Sequence, residues 1–358
     1  MAITMNTVSV DGLRESIHMS VALDLPLLVE GKPGIGKSEI VRSVAEAAGY
    51  ALLDRRASQM LPEDLGGIPV GDVATRTAVR CQPDLVAEAT RLHESAGKPV
   101  MLFLDEVNLA SRGVLSALYE VILDRRCGGF PFPPGTRVIA ACNPPGSGAM
   151  VEELPRPLTN RMAVVSFSGP TFDEWTDYAF ANDVSPEIIA ALRVSQEFLH
   201  AKFDPEQPRS PTPRAWKRAS DVLKFASSPA MRMVMLAAVV GDEAAARVAH
   251  VLDCMSKLHP SEKLLAGPDG FGAHDNLAMA LLQAFALAST AKNAAQVRNG
   301  FRWVERHHPE VSGLFVKRLM ARVKTEPNGS ALIADAELLR HIHNNGDFVS
   351  AGNFLRKE

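Results

Sequence analysis

The chain has 358 residues, more than one domain of about 100–150 residues accounts for, so two or three domains are expected. Apolar residues at 46% and charged residues at 22% match a folded globular protein and exclude a disordered, collagenous or membrane-embedded chain. Lys and Arg total 38 against 41 Asp and Glu, a formal charge of -3, so there is no positive excess to hold a polyanion by counterion release.

Cys81, Cys127, Cys142 and Cys254 show no C-x-x-C spacing, so neither a zinc site nor a disulfide framework is indicated and buried free thiols are expected. The first residues carry no basic and apolar leader pattern, and the apolar stretch Leu277 to Ala288 is too short to span a bilayer. A cytoplasmic protein is expected.

In chain order, an apolar run at Leu25–Val29 precedes a helical pattern at Lys37–Ala48. Further apolar runs follow at Tyr50–Leu53, Pro99–Leu104, Arg137–Cys142 and Met162–Phe167. Short apolar runs separated by helical patterns are the sequence form of βαβ units, so an α/β domain with a mainly parallel sheet is predicted. After Gly169-Pro170 helical periodicity takes over, which sets a domain boundary near 170.

Helices are predicted within Phe172–Ala201 and at Ala215–Ala226, Met231–Ala238, Asp242–Leu258, Asn276–Ala291, Ala295–His307 and Val311–Val323. The Pro-rich stretch 204–213 reads as a stiff loop delivering the next helix. Gly267-Pro268-Asp269-Gly270 reads as a linker. The predicted division is therefore 1–170 as an α/β domain, 171–265 as a small helical domain and 266–358 as a helical C-terminal extension. Trp303 and Phe315 fall in helical patterns and are assigned to the core. His307-His308, His341 and His343 have no Cys or carboxylate partners at ligand spacing and are read as surface histidines.

Gly31-Lys32-Pro33-Gly34-Ile35-Gly36-Lys37-Ser38 fits G-x-x-x-x-G-K-[ST] and lies between an apolar strand and a helix, the context this phosphate-binding motif requires. Its glycines let main-chain N–H groups line a concave loop, and the helix that follows adds its positive end. Lys37 would reach the β- and γ-phosphates of a bound nucleotide, and the Ser38 hydroxyl would bind Mg2+.

The apolar run Val100–Leu104 ends in Asp105-Glu106, which places two carboxylates at the strand end where α/β proteins bind ligands. Asp105 would hold the magnesium, directly or through water, and Glu106 would polarise an attacking water. A further strand ends in Asn143-Pro144-Pro145. Asn143 reads either as an amide orienting that water or as a simple Asn-Pro turn.

The ordered set of P-loop, Leu104-Asp105-Glu106, Asn143 and Leu154-Pro155-Arg156-Pro157-Leu158-Thr159-Asn160-Arg161-Met162 resembles AAA+ ATPases. More narrowly it resembles the MoxR-type group that includes RavA, CbbQ, NorQ and GvpN. The resemblance spans about residues 10 to 260, with support from Leu61–Pro69 and Leu118–Arg126. It implies a P-loop parallel sheet flanked by helices, then an all-α lid and a helical extension. It also implies ATP hydrolysis in a ring, typically a hexamer, and a partner with a von Willebrand factor A domain.

By the same resemblance Asn143 matches sensor 1 and Arg161 the arginine finger that enters a neighbouring subunit's site. The family's usual Asp-Arg-Phe is Asn160-Arg161-Met162 here, so Arg156 is a rival finger. Arg214 matches the sensor-2 arginine at the start of a lid helix. Residues 126–136 match a hairpin before sensor 1 and residues 60–78 an insertion in helix 2, which read either as contacts to a client or as merely stiff segments. A nucleic-acid motor or a McrB-like GTPase shares the P-loop and acidic strand and stands as the alternative, as does a nucleotide-gated scaffold that tolerates Glu106→Gln. A P-loop kinase fits Asp105-Glu106, Asn143 and Arg161 less well, because together they describe water activation in an oligomer.

Overall fold

The computed structural model describes residues 7–72, 74, 76–145, 154–200, 209–335 and 339. The chain divides into two compact units, Met1–Thr171 and Phe172–Glu358.

The first unit is built on strands β1 (Thr7–Val8), β2 (Leu27–Glu30), β3 (Ala51–Arg56), β4 (Pro69–Asp72), β5 (Thr77–Arg80), β6 (Val100–Asp105), β7 (Arg126–Cys127), β8 (Phe130–Pro131), β9 (Arg137–Cys142) and β10 (Ala163–Phe167). Its helices are α1 (Val10–Leu23), α2 (Lys37–Ala47), α3 (Pro62–Gly66), α4 (Asp84–Ala96), α5 (Arg112–Tyr119) and the single turn α6 (Arg156–Thr159). Among the described residues the central sheet has 6 strands in the order β1-β10-β2-β9-β6-β3, every pair parallel.

Strand residues point to alternate faces, and both faces of this sheet are covered, which is why its strands read as continuous apolar runs. Leu27 and Val29 of β2, Met101 and Phe103 of β6, and Ile139 and Ala141 of β9 pack with Leu13, Ile17, Val41 and Val44 of α1 and α2. The intervening Leu28, Leu102, Leu104, Val138 and Ala140 pack with Leu85 and Val86 of α4 and Val114 and Leu118 of α5. Each large side chain so buried contributes roughly 1.5–3 kcal/mol, so β6, whose first five residues are all buried, anchors the unit.

Two small antiparallel hairpins, β4–β5 and β7–β8, correspond to the segments 60–78 and 126–136. The tight β7–β8 turn uses Gly128 and Gly129 at positive φ (58° and 87°), as a two-residue hairpin connection requires. A Cβ on Gly128 would lie 2.7 Å from Gly66 O, so the turn packs directly on the end of α3. The aromatic residues of this segment face inward, with Phe132 6% exposed and Phe130 packed on the core. The β4–β5 segment instead presents apolar side chains outward: Ile68 is 62% exposed, Val70 53% and Val79 61%, and Val70 and Val79 are cross-strand partners.

The second unit is helical: α7 (Phe172–Ala181), α8 (Pro186–Val194), α9 (Pro213–Phe225), α10 (Pro229–Val240), α11 (Asp242–Cys254), α12 (Ser261–Ala266), α13 (Leu277–Thr290), α14 (Ala294–His307) and α15 (Ser312–Thr325). Several starts are written in the sequence. Thr212, Ser228, Asn276 and Asn293 each accept a hydrogen bond from a first-turn N–H, an arrangement worth about 1 kcal/mol per cap, and Pro213 and Pro229 occupy first helical positions. Helix α13 is apolar on nearly all sides and buried accordingly. No helix among the described residues is long and apolar enough to cross a membrane.

One cluster runs from Trp175 and Trp216 through Leu264 and Leu265 to Trp303, Phe315 and Leu332. The expected separation of 171–265 from 266–358 thus has no counterpart in the packing, because both segments fill the same core. Gly267–Gly270 is not a free linker. Residues Pro268–Gly270 form a 3-10 turn, and Asp269 pairs with Arg306 of α14 at 3.2 Å. Residues 204–208 of the Pro-rich stretch, and His341 and His343, lie outside the described residues. Cys127, Cys142 and Cys254 are buried as expected, whereas Cys81 is exposed beyond the end of β5.

His308 departs from the surface reading: it is 6% exposed, and His274 is 9% exposed. The His274 main-chain N–H donates to His308 Nε2 at 2.9 Å, and His274 Nε2 donates to Gln283 Oε1 at 3.1 Å. The His259 and His274 rings stack with centroids 4.4 Å apart, and Trp303 edges against both. Burial holds His274 below its ordinary value of 6.5; the Gln283 hydrogen bond opposes this, and neighbouring His259 and His308 reinforce it. Asp275 and Glu310 are the nearby acids.

An unfolded His274 takes up its proton near its ordinary value while the folded one resists. Its stabilisation is therefore complete above pH about 6.5 and is lost as pH falls through the depressed folded value. The unfolding midpoint is expected to drop as pH falls below about 6.5, and His274→Gln to flatten that dependence in thermal melts across pH.

Candidate active site

Strands β2, β9 and β6 are adjacent and parallel, with Glu30 opposite Cys142 and Leu104 opposite Ala140. Their C-terminal ends therefore share one edge, and each is followed by a segment singled out in the sequence: Gly31–Ser38, Asn143, and Asp105-Glu106.

The Gly31 N–H donates to Cys142 O at 3.1 Å, carrying the β2–β9 pairing one step past the strand. A Cβ at Gly31 would lie 2.7 Å from Phe167 O and 2.9 Å from Ile35 Cδ1. Gly34 and Gly36 have φ of 77° and 102°, a region costly for any residue with a Cβ. Ile35 pins the loop to the core at 3% exposure, while Lys32 and Pro33 are exposed. The loop then feeds α2, whose first residue is Lys37.

Lys37 is 6% exposed. Its Nζ donates to Gly31 O, to Lys32 O at 3.1 Å and to Asn143 Oδ1 at 3.1 Å. The Ser38 hydroxyl donates to Asp105 Oδ2 at 3.1 Å, and Asp105 Oδ1 accepts from the Glu106 N–H at 2.9 Å. Glu106 sits in the left-handed region at φ 57°, a strained state for a residue with a Cβ, and its Oε2 accepts from Ser58 Oγ at 2.5 Å. The structure thus brings Lys37, Ser38, Asp105, Glu106 and Asn143 together. Burial pushes the nearby Cys142 thiol up to about 12, with Glu30 reinforcing the shift, so it stays protonated and adds no charge.

These residues fit the groups implied by the motif. A hydroxyl and a carboxylate 3.1 Å apart are the hard oxygen donors Mg2+ prefers. The buried ammonium beside a loop with two glycines at positive φ matches a phosphate cradle.

Arg156 and Arg161 flank the α6 turn between β9 and β10, and both are exposed. Leu158 and Met162, on the same turn, are buried in the core. Among the described residues no hydrogen bond or ion pair joins either guanidinium to the Lys37 cluster. Arg214 belongs to the second unit, exposed in the first turn of α9.

Two residues of the cluster went unread in the sequence. Asn108, 5% exposed, contacts the main chain of Asn143, and Ser58 holds Glu106. Asn108 carried a signal, a polar residue two positions past the acids in an otherwise apolar turn. Ser58 carried none, since it reaches Glu106 only through the β3–β6 pairing. Because of the contacts at its Cβ, Gly31→Ala is expected to lower unfolding stability by about 1–3 kcal/mol, measurable by denaturant titration.

Residues 26–162 match the model of the AAA domain, dynein-related subfamily. Midasin from Giardia intestinalis is 29% identical over 152 residues, covering 40% of this chain and 3% of that protein. Lon protease from Leptospira interrogans is 28% identical over 182 residues, covering 45% of this chain and 20% of that protein. The chain thus spans only a small part of the curated relatives it matches. Among solved structures, a RuvB variant from Thermotoga maritima superposes with a TM-score of 0.39 at 15% identity, covering 73% of this chain and 79% of that one. The chain carries, within its α/β unit, an AAA domain of the dynein-related subfamily, the domain class of AAA+ ATPases.

Proposed function

We propose that this chain is a MoxR-type AAA+ machine that hydrolyses ATP in a ring to remodel or activate a partner protein bearing a von Willebrand factor A domain.

 The convergence of the Ser38 hydroxyl on Asp105 at 3.1 Å and of the Lys37 ammonium on Asn143 at 3.1 Å carries the reading. It sets a cation, a hydroxyl–carboxylate pair and a strand-end amide around one edge of the sheet.

In this reading the N–H groups of Gly31–Gly36 and the Lys37 ammonium hold the phosphates of ATP, which fixes the γ-phosphoryl group against the strand ends. Ser38 and Asp105 would hold Mg2+, which supplies charge neutralisation on the phosphate oxygens. Glu106 accepts a proton from the attacking water. The Asn143 oxygen is occupied by Lys37, so its Nδ2 is the group that faces ligand. The exposed Arg161, with Arg156 as its rival, is offered to the site of a neighbouring subunit. Exposed Ile68, Val70 and Val79 supply an apolar surface for the partner.

Glu106→Gln is expected to keep ATP binding and lose at least about 100-fold in turnover, while Lys37→Ala weakens binding itself; phosphate release and a fluorescent nucleotide separate the two. The ring assignment has its own test. Arg161→Ala protein and Lys37→Ala protein, each inactive alone, should regain turnover when mixed, because one supplies the finger and the other an intact P-loop. If mixing restores nothing while Arg161→Ala alone turns over at the wild-type rate, Arg161 is not the finger, and Arg156→Ala is then the variant expected to be inactive.

A further inference from the structure

Asn143 follows the last residue of β9, and among the described residues the strand registers of β2 and β6 against β9 end before it. It is 6% exposed, and the residues after it are Pro144 and Pro145, which have no N–H to offer. A buried peptide group in this position needs partners from elsewhere. Asn108 supplies both: its Nδ2 donates to Asn143 O at 2.7 Å, and its Oδ1 accepts from Asn143 N–H at 3.2 Å. Asn108 is itself 5% exposed and sits on the 3-10 turn Val107–Leu109, which begins directly after Glu106. The Asn143 side chain, fixed in this way, accepts from Lys37 Nζ at 3.1 Å.

We infer that Asn108 is a positioning residue for ATP hydrolysis: its side-chain amide clamps the main chain of Asn143 and so aims the Asn143 amide at the reacting phosphate. This inference rests on the ATPase reading above. The side-chain amide suits the task because it presents a donor group and an acceptor side by side at the spacing of a peptide group, and a carboxylate or an aliphatic side chain offers only one of these or neither. The clamp also ties the turn after Asp105-Glu106 to the end of β9, so the water-activating acid and the amide keep a fixed separation. An error of about 1 Å in such a placement can cost about 100-fold in rate.

The test measures steady-state ATP hydrolysis by the full chain in four forms: wild type, Asn108→Ala, Asn143→Ala and the double variant, with nucleotide affinity read separately by a fluorescent ATP analogue. Asn108→Ala is expected to lower kcat by about 10- to 100-fold with analogue affinity within about twofold of wild type, and to cause no further loss in the Asn143→Ala background. Equal losses in both backgrounds, an unchanged kcat, or a loss confined to affinity would each overturn the inference.

If Asn108→Ala does not fold, Asn108→Asp takes its place. It keeps the acceptor for Asn143 N–H and lacks the donor, and is expected to give an intermediate kcat; a wild-type kcat would overturn the clamp. Absence of turnover in the wild type, with no difference from Lys37→Ala, would instead overturn the ATPase reading and the inference with it.

Discussion

A buried ammonium is the constraint on which the first unit turns. Lys37 is 6% exposed, and a charge withdrawn from water is tolerated only when hydrogen-bond acceptors replace its hydration. Its three N–H donors meet three oxygens: two carbonyls of its own loop and the Asn143 side chain. The loop can fold back to offer those carbonyls because Gly31 has no Cβ to meet Phe167 O and Ile35. Asn143 can reach Nζ because β9 lies beside β2 in register. The buried cation is thus held in place by the same strand order that builds the core.

The acids obey a related logic on the other side of β9. Strand β6 is buried on both faces, and only its last residue, Asp105, emerges far enough to meet the Ser38 hydroxyl. The chain then turns through left-handed Glu106, and the strain of that conformation is offset by the Glu106 N–H on Asp105, by Ser58 on the carboxylate and by the Asn108 clamp on Asn143. Strain and compensation occur together at the candidate site, the usual place for both.

The second unit has a different basis. Its single core is organised around the apolar helix α13, and it holds a polar cluster of His259, His274 and His308 with Gln283 and Trp303. Most polar atoms placed in such a core are paired. Gln283 answers this by accepting from the His259 N–H and from His274 Nε2 through one oxygen. Burial of His274 makes this core sensitive to pH.

What the sequence determined by itself was local. The strand-loop-helix around Gly31–Ser38, the acids after Leu104, the boundary near 170 and the helices with Ser, Thr or Asn caps are all set by contiguous residues, where periodicity and capping act. Tertiary structure alone decided the rest. Ser58 reaches Glu106 across 48 residues and Asn108 reaches Asn143 across 35, distances that only the strand order closes. His308 became a core residue because α13 and α14 packed into one cluster with the segment before them, and for the same reason the predicted lid and extension share one core. Sequence spacing records which residues are neighbours along the chain; which side chains complete a buried peptide group or a buried charge depends on which strand ends lie side by side.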